Sequence, residues 1–452
     1  MKTTLATFAA AAVLALAPMR ASAAAGDPQV DFEKYTLSNG LEVILHRDNR
    51  VPIVVTDVWY HVGSRDETYG KSGFAHLFEH MMFQGSSHVG EDQHFELLRK
   101  AGASNVNGST SSERTNYYEE VPSNQIELAL WLESDRMGWL LPLLNEKSMQ
   151  NQIDVVRNER RQRYDNVPYG KDRFATNALL FPEGHPLRYL TIGRHEDIEH
   201  ASVEDVKGFF RHWYRPANAT LVIAGDFEPA EAKKLVEKWF GDFPKTEKPV
   251  RRAVSFAPLA KAERVEVQDP FAKLRRLHFV WMTTGTFQPG DAELDLLAHA
   301  LGASGTGRLW KILVHDKQLV QGVGVSQDSA QHNFHVTVDL KSDADAAEVE
   351  KIVRAEIAKV VAEPIGKDEL ARSVISYEGR FIWGLEPLLA RAELLQNYNQ
   401  ELGDPGKIGW DLDRYRAVTP EGIRDTAAKY LLPAVEGEIV TVPVAAPAGG
   451  AK

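Results

Sequence analysis

Two histidines and a glutamate lie close together in the segment SGFAHLFEHMMF, at His76, Glu79 and His80. Residues three and four apart share one face of an α-helix, so a helix here would point these three side chains the same way. Neutral imidazoles are common zinc ligands, and a carboxylate beside a metal can take a proton from water. The pattern, the reverse of H-E-x-x-H, therefore predicts a zinc site with Glu79 as general base. The alternative is that both histidines are ordinary core residues that form hydrogen bonds with their neighbours.

A catalytic zinc ion needs a third protein ligand and an open position for water. The segment EKSMQNQIDVVRNERRQRYD at 146–165 has helical periodicity. An apolar stripe along this predicted helix leads to Glu159 and consists of Met149, Ile153 and Val156. A carboxylate on a buried stripe needs a partner, because an unpaired buried charge is very costly. Zinc would supply that partner, and an ion pair with Arg160 or Arg163 explains the pattern equally well.

Strand patterns and helix patterns are intermixed along the chain. Runs rich in β-branched and aromatic residues predict strands at 41–45, 53–62, 218–227, 275–284 and 334–340. The dipeptide Asn39-Gly40 predicts a hairpin before the first of these runs. Helical periodicity predicts helices at 73–84, 92–101, 124–139, 146–165, 229–240, 292–302, 344–362 and 367–400. Together these patterns predict an α+β fold of two homologous α/β halves, each a mostly antiparallel sheet covered by helices.

The length of 452 residues suggests more than one domain. Lys2, a short apolar run and the small residues ASA predict a signal peptide cut after Ala23, hence a periplasmic or secreted protein. An uncleaved anchor is the alternative, but the run is short for a membrane span. The expected divisions are a signal peptide at 1–23, an N-terminal zinc-binding domain at 24–240, a linker at 241–263, a domain without a metal site at 264–442 and a flexible tail at 443–452.

The overall composition argues against several other functions. The formal net charge is −11, and the densest basic run, RNERRQR at 157–163, is short and interrupted by Glu159. We therefore expect no nucleic-acid binding. The chain has no cysteine, which excludes disulfides, thiolate metal ligands and a cysteine nucleophile. Beyond the N-terminal run, no stretch is long and apolar enough to predict a transmembrane segment.

With these motifs in place, nearly all of the mature chain resembles the pitrilysin/insulysin family of zinc metallopeptidases, and especially its short, bacterial processing-peptidase-like branch. The resemblance implies that His76, His80 and Glu159 hold one zinc ion, that Glu79 is the general base, and that the two halves form one side of a peptidase chamber. Many members carry a second glutamate two helical turns before the glutamate ligand. Gln152 stands there instead, and its amide could orient a ligand although the charge is absent.

The segment ASNVNGSTSSERTNYYEEVP at 103–122 resembles the family pattern N-A-x-T-S-x-D-x-T-x-Y. In the family this segment is an edge strand beside the metal, to which an extended peptide substrate adds through backbone hydrogen bonds. The resemblance implies that Asn107, Gly108 and Thr110 bind substrate, with Gly108 standing where alanine is usual. From the residues alone, a polar loop entering an ordinary strand is the alternative.

The second half of family members normally carries an arginine followed by a tyrosine, which hold substrate and stabilise the transition state. Here those positions hold Val314 and Gln321, with His315 as a neighbouring alternative donor. The counterpart of the metal helix, LLAHALG, contains only His299. The resemblance thus implies the zinc-bearing subunit of a heterodimer whose partner supplies the arginine and tyrosine, with a homodimer as the alternative. A non-catalytic peptide-binding or scaffold subunit is the second reading.

Overall fold

The computed structural model describes residues 26–444, so the predicted signal peptide and residues 445–452 of the predicted tail lie outside the described residues. The first half is built on a six-stranded sheet in the order β1-β2-β6-β3-β5-β4. Its strands are β1 (Glu33–Thr36), β2 (Glu42–Arg47), β3 (Ile53–Tyr60), β4 (Ser104–Thr110), β5 (Thr115–Pro122) and β6 (Ala219–Gly225). Only β2 and β6 run parallel, and β4 lies at one edge.

Eight α-helices accompany this sheet in the part of the chain that the structure describes. They are α1 (Phe74–Met81), α2 (Gln93–Lys100), α3 (Ile126–Trp139), α4 (Glu146–Arg160), α5 (Gly170–Leu180), α6 (His195–Glu199), α7 (Val203–Trp213) and α8 (Pro229–Phe240). The last turn of the predicted helix at 146–165 is a π-helical turn, Arg161–Asp165, directly after α4. Such turns are rare and often lie at functional sites.

The second half contains a five-stranded sheet in the order β7-β11-β8-β10-β9. Its strands are β7 (Glu263–Asp269), β8 (Arg276–Met282), β9 (Val320–Asp328), β10 (Asn333–Leu340) and β11 (Gly437–Pro443). Its helices are α9 (Asp291–Gly302), α10 (Arg308–Trp310), α11 (Ala346–Ala362), α12 (Lys367–Gly384), α13 (Leu388–Leu402), α14 (Ile408–Arg416) and α15 (Pro420–Tyr430). A second π-helical turn, Lys311–Asp316, follows α10.

The two sheets share one topology. In each, a parallel pair, β2 with β6 or β7 with β11, is followed by three strands that pair only antiparallel. The strand β9 therefore takes the edge position in the second sheet that β4 takes in the first. The prediction of an α+β fold with two homologous halves is confirmed.

The predicted single helix at 367–400 is wrong, because the segment forms two helices, α12 and α13. The break lies at Pro387, the residue before α13. Proline lacks a backbone N–H and restricts the residue before it, so a helix cannot continue through this point undisturbed. The turn directs α13 away from α12 and towards the first sheet.

Each half contributes one helix that packs on the sheet of the other half. Helix α13 of the second half packs on β3 and β6, where Leu395 joins Val55 and Val222 in a buried cluster. In return, α5 of the first half packs on β7 and β11, with Phe181 buried near Ile439. Among residues 26–444, none of the helices combines the length and apolar character needed to span a membrane.

Candidate metal centre

The helix α1 is held at its N-terminus by a buried carboxylate. Gly73 precedes the helix with a φ of 89°, a left-handed conformation that glycine adopts without strain. The side chain of Glu67 accepts hydrogen bonds from the backbone N–H of Gly73 at 3.0 Å and of Ala75 at 2.8 Å. It thereby satisfies donors that the first helical turn leaves unpaired. Sequence reasoning did not identify Glu67, whose only signal is an acid shortly before the motif.

The three predicted metal ligands converge. The Nε2 atoms of His76 and His80 lie 3.4 and 3.3 Å from Oε2 of Glu159. Burial, together with the neighbouring His80, lowers the pKa of His76 to about 4, so that this imidazole is neutral and able to bind a metal. One carboxylate oxygen and two imidazole nitrogens within 4.8 Å of one another form a donor set that fits zinc.

The carboxylate of Glu159 faces in two directions. Its Oε1 pairs with Nη1 of Arg163 at 2.8 Å, while its buried Oε2 faces the two histidines. The ion pair with Arg163 is therefore present at one oxygen, and the role of the other oxygen as a metal ligand stays a prediction. Burial opposes ionisation of Glu159, but hydrogen bonding to His80 and the charges around it outweigh burial and lower its pKa. Arg160 donates instead to the carbonyl oxygen of Gly193 at 2.6 Å.

The predicted general base, Glu79, is buried between the two histidines. Burial raises its pKa, and a hydrogen bond from Thr110 partly opposes this effect. The Oγ1 atom of Thr110 donates to Oε2 of Glu79 at 2.6 Å. The edge strand β4 thus holds one carboxyl oxygen of Glu79, whose role as general base stays a prediction.

A cavity of about 640 Å³ lies between β4, α1 and the C-terminal end of α4. Seven predicted site residues line it: His76, Glu79, His80, Asn107, Gly108, Thr110 and Glu159. A Cβ atom on Gly108 would lie 3.2 Å from Cγ of Glu79, so the glycine leaves room beside the base. Arg114 donates to the carbonyl oxygen of Ser109 at 2.9 Å and thereby fixes the end of the strand. The substrate-binding role of this strand stays a prediction.

The remaining predicted positions lie apart from this centre or make no polar contact there. Gln152 is buried on α4, yet its side chain makes no hydrogen bond within the described part of the chain. Among the same residues, Nδ1 of His76 is buried without a hydrogen-bond partner. Val314 lies in the π-helical turn after α10 and packs on the second hydrophobic core. Gln321 is exposed at the start of β9. Neither side chain approaches the cavity at α1.

Two family models match the chain. The family model described as insulinase (peptidase family M16) matches residues 42–177, and the model described as peptidase M16 inactive domain matches residues 200–377. The chain is 27% identical over 382 residues to the zinc protease PqqE of Helicobacter pylori, which covers 81% of this chain and 83% of that protein. It is 24% identical over 378 residues to the uncharacterized zinc protease YmxG of Bacillus subtilis, with 82% and 88% covered.

Solved structures show the same fold. The crystal structure of a protease from Helicobacter pylori superposes with a TM-score of 0.85 at 24% identity, covering 92% of this chain and all of that one. The periplasmic protease PqqL from Escherichia coli gives a TM-score of 0.76 at 16% identity, covering 92% of this chain and 48% of that one. At these sequence identities the structural similarity establishes the fold alone. Any chemical role has to be argued from the side chains at the site.

Proposed function

The chain belongs to the insulinase family of peptidases, M16, and we propose on this basis that it is a zinc-dependent endopeptidase of peptides or small unfolded proteins. One observation carries the proposal: His76, His80 and Glu159 converge beside Glu79 at the free edge of β4. Two imidazoles and one carboxylate are a ligand set typical of catalytic zinc, which keeps a fourth position open.

In the proposed reaction His76, His80 and Glu159 hold the metal, and Glu79 moves the proton. Zinc, when bound, supplies a Lewis acid that lowers the pKa of water and polarises a carbonyl group. Oε1 of Glu79 takes the proton from the attacking water and then delivers it to the nitrogen of the leaving amine. Thr110 keeps Oε2 in place during this exchange. The pKa of Glu79, raised by burial, lies closer to neutral pH than that of an exposed glutamate, which suits a group that both takes and returns a proton.

The edge of β4 supports a preference for extended substrates. Within residues 26–444 its outer side is unpaired in the sheet, so a peptide can add to it as a further strand beside Asn107, Gly108 and Thr110. A folded protein offers few free extended segments for such pairing. We therefore infer that the substrates are peptides or proteins that are unfolded around the cleaved bond.

We also propose that this chain is the zinc-bearing subunit of a two-subunit enzyme. Val314 has no hydrogen-bond donor in its side chain and Gln321 has no phenol, so neither replaces the arginine and tyrosine of the family. A homologous partner would supply that pair, and a homodimer is the alternative. The N-terminal pattern supports export to the periplasm, the compartment named for PqqL of Escherichia coli.

A second candidate function is a peptide-binding subunit without catalysis. Val314 and Gln321 favour it, because they leave the chain without the arginine and tyrosine that the family uses for catalysis. The intact ligand set and the base at Glu79 favour the peptidase. Metal content separates the two candidates, because a scaffold has no requirement for stoichiometric zinc.

The test combines metal analysis with hydrolysis. The purified chain, alone and with a co-expressed homologous partner, is assayed for zinc by mass spectrometry and for cleavage of an internally quenched, unfolded peptide. We expect one zinc ion per chain, and Glu79→Gln should retain zinc while lowering turnover by about 10²- to 10⁴-fold. The matched control is Glu91→Gln, an exposed glutamate away from the cavity. Near-normal turnover by Glu79→Gln would refute the assigned base, and full activity of the lone chain would refute the two-subunit arrangement.

A further inference from the structure

The chain contains two Asn-Gly dipeptides, Asn39-Gly40 and Asn107-Gly108, and the fold places them in different surroundings. Asparagine is a thermolabile residue, because the backbone nitrogen of the next residue can attack its side-chain amide. A following glycine favours this attack, since it has no side chain to hinder the nitrogen and leaves the backbone free to bend. The second dipeptide lies on the edge strand β4, at the position where alanine is usual in the family.

The surroundings of Asn107 favour this reaction. Its side chain is exposed, and both Asn107 and Gly108 line the cavity beside α1, which gives water access to them. The backbone N–H of Gly108 donates to Oδ1 of Asn107 at 2.9 Å, so the attacking nitrogen already lies next to the side-chain amide. The pairing of β4 with β5 shifts its register between Ser104 and Asn107, so the strand is irregular just before this point.

The surroundings of Asn39 oppose the same reaction. Its side chain is 1% exposed, and Nδ2 donates to the carbonyl oxygen of Phe240 at 2.6 Å while Oδ1 accepts from the backbone N–H of Leu41 at 3.1 Å. The nitrogen of Gly40 is engaged elsewhere, because it donates to the carbonyl oxygen of Leu37 at 2.9 Å. Both the amide and the attacking nitrogen are therefore held apart from each other.

We propose that Asn107 is a site of spontaneous deamidation and that this modification disables the edge strand beside Glu79. The backbone nitrogen of Gly108 loses its proton to water and bonds to Cγ of Asn107. The bond from Cγ to Nδ2 breaks, and Nδ2 takes a proton from water and leaves as ammonia. Water then opens the cyclic imide and gives aspartate or isoaspartate. The net reaction consumes one water molecule and releases one ammonia molecule, so it requires no further reactant.

Both products change β4 where a substrate would pair. In isoaspartate the main chain runs through the side-chain carbon, which inserts one extra backbone atom between Asn107 and Gly108. Because strand geometry fixes which side chain faces which side of the sheet, this insertion displaces Thr110, whose hydroxyl group holds Oε2 of Glu79. Either product also adds a carboxylate to the cavity that contains Glu79. The effect on catalysis rests on the proposed function, whereas the deamidation itself does not.

The test follows both dipeptides in the folded full chain during incubation in mildly alkaline buffer made with heavy-oxygen water. Peptide mass spectrometry with electron-transfer fragmentation counts the modified fraction and separates isoaspartate from aspartate, and the heavy oxygen marks products formed during the incubation. We expect Asn107 to react at least about tenfold faster than Asn39, and its rate to rise about tenfold per pH unit because the attacking nitrogen is deprotonated. In the chain unfolded by urea the two dipeptides should react at similar rates. Asn105 is exposed on the same strand but followed by Val106, and it should stay intact.

Gly108→Ala and Asn107→Gln should each suppress the reaction, because a methyl group hinders the nitrogen and a longer side chain closes a ring much more slowly. Turnover of an unfolded peptide, measured on the same samples, should fall in proportion to the modified fraction, while each variant should keep its own initial turnover throughout the incubation. Equal rates at Asn107 and Asn39 in the folded chain would overturn the proposal, as would constant turnover while Asn107 becomes modified. A lack of turnover from the start would instead refute the proposed function, and the two rates would still decide whether Asn107 is the modified site.

Discussion

The hydroxyl group of Thr110 donates a hydrogen bond of 2.6 Å to Oε2 of Glu79, and this bond joins the edge strand β4 to the proposed general base on α1. Thr110 belongs to the strand on which a substrate would pair, whereas Glu79 belongs to the helix that carries two metal ligands. The same strand would therefore position a bound peptide and orient the carboxyl group of Glu79.

Thr110→Val should lower kcat by about tenfold or more and change KM little. Valine keeps the shape of threonine but removes the donor, which leaves a buried carboxylate oxygen without its hydrogen bond. The loss of a hydrogen bond to a charged group corresponds to about 1.5–3 kcal/mol. Steady-state kinetics on an unfolded peptide measure the effect.

Two controls accompany this change. Thr110→Ser keeps the hydroxyl group and should keep most of the activity, and the zinc content of both variants should match that of the unmodified chain. If Thr110→Val raises KM alone, Thr110 contacts substrate and does not position Glu79.

Gln152→Glu should increase zinc affinity. Gln152 lies two helical turns before Glu159 on the same buried face of α4, and Nδ1 of His76 is buried without a partner among the described residues. A carboxylate near a histidine ligand raises its basicity, and such outer contacts change metal affinity by about 10- to 100-fold. Competition with a fluorescent zinc chelator measures the change.

The matched control for that experiment is Gln150→Glu, which adds the same charge on the exposed side of α4. If both variants bind zinc equally, a general electrostatic effect explains the gain, and Gln152 has no specific role. A fall in affinity on Gln152→Glu would contradict the orienting role outright.

Local patterns predicted the elements that carry the metal centre. The helix expected at 73–84 is α1, and the hairpin expected at Asn39-Gly40 joins β1 and β2. Periodicity placed Glu159 at the end of an apolar stripe, and the family resemblance implied its role as a ligand. Each of these signals is contained within one element, where side-chain spacing fixes the geometry.

Contacts between distant elements were not predictable in this way. The bond between Thr110 and Glu79 depends on which face of β4 meets α1, and the cap of α1 depends on the fold around Glu67. The packing of α5 and α13 on the sheet of the opposite half depends on the apolar faces of these helices and on the break at Pro387. The continuous helical pattern of residues 367–400 indicates neither the break nor the packing partner. Such relations arise from tertiary packing rather than from spacing along the chain.

Acidification should destabilise the chain through buried neutral histidines, of which His61 is the clearest case. Burial lowers the pKa of His61 to about 4. Its Nδ1–H donates to Oε1 of Gln400 at 2.8 Å, and its Nε2 lies 3.0 Å from Oγ1 of Thr220. The folded pKa lies below the value of about 6.5 expected in the unfolded chain, so the unfolded state binds more protons as the pH falls. The stabilisation is complete above pH 6.5 and is lost progressively towards pH 4.

Chemical denaturation at pH 7.5 and pH 5 tests this expectation. The charged groups that also affect the pKa of His61 are Lys248 and Arg251, which lower it, and Glu42, which raises it. His61 alone should contribute a loss of about 2 kcal/mol at pH 5, and His61→Gln should reduce the pH dependence by that amount. The exposed His200→Gln is the matched control and should leave the dependence unchanged. An unchanged dependence in His61→Gln would show that other groups govern acid lability.

Arg136→Met should destabilise the first half by about 3–5 kcal/mol, because it leaves a buried acid without its counter-charge. Arg136 is 2% exposed, donates from Nε to Glu133 at 2.9 Å and lies 3.8 Å from Oε2 of Glu119. Its guanidinium also stacks over Tyr117, behind the edge strand β4. Denaturant unfolding should show the loss, and Arg99→Met on the surface should not.

The double variant Arg136→Met with Glu133→Leu makes this prediction sharper. Replacing both members of a buried ion pair by apolar side chains is often neutral, whereas removing one member leaves an uncompensated charge. The double variant should therefore recover the part of the lost stability that comes from Glu133, while the buried Glu119 still lacks its counter-charge. If it is as unstable as the single variant, the loss comes from Glu119 and from packing against Tyr117 and Phe83, and the ion pair with Glu133 contributes little.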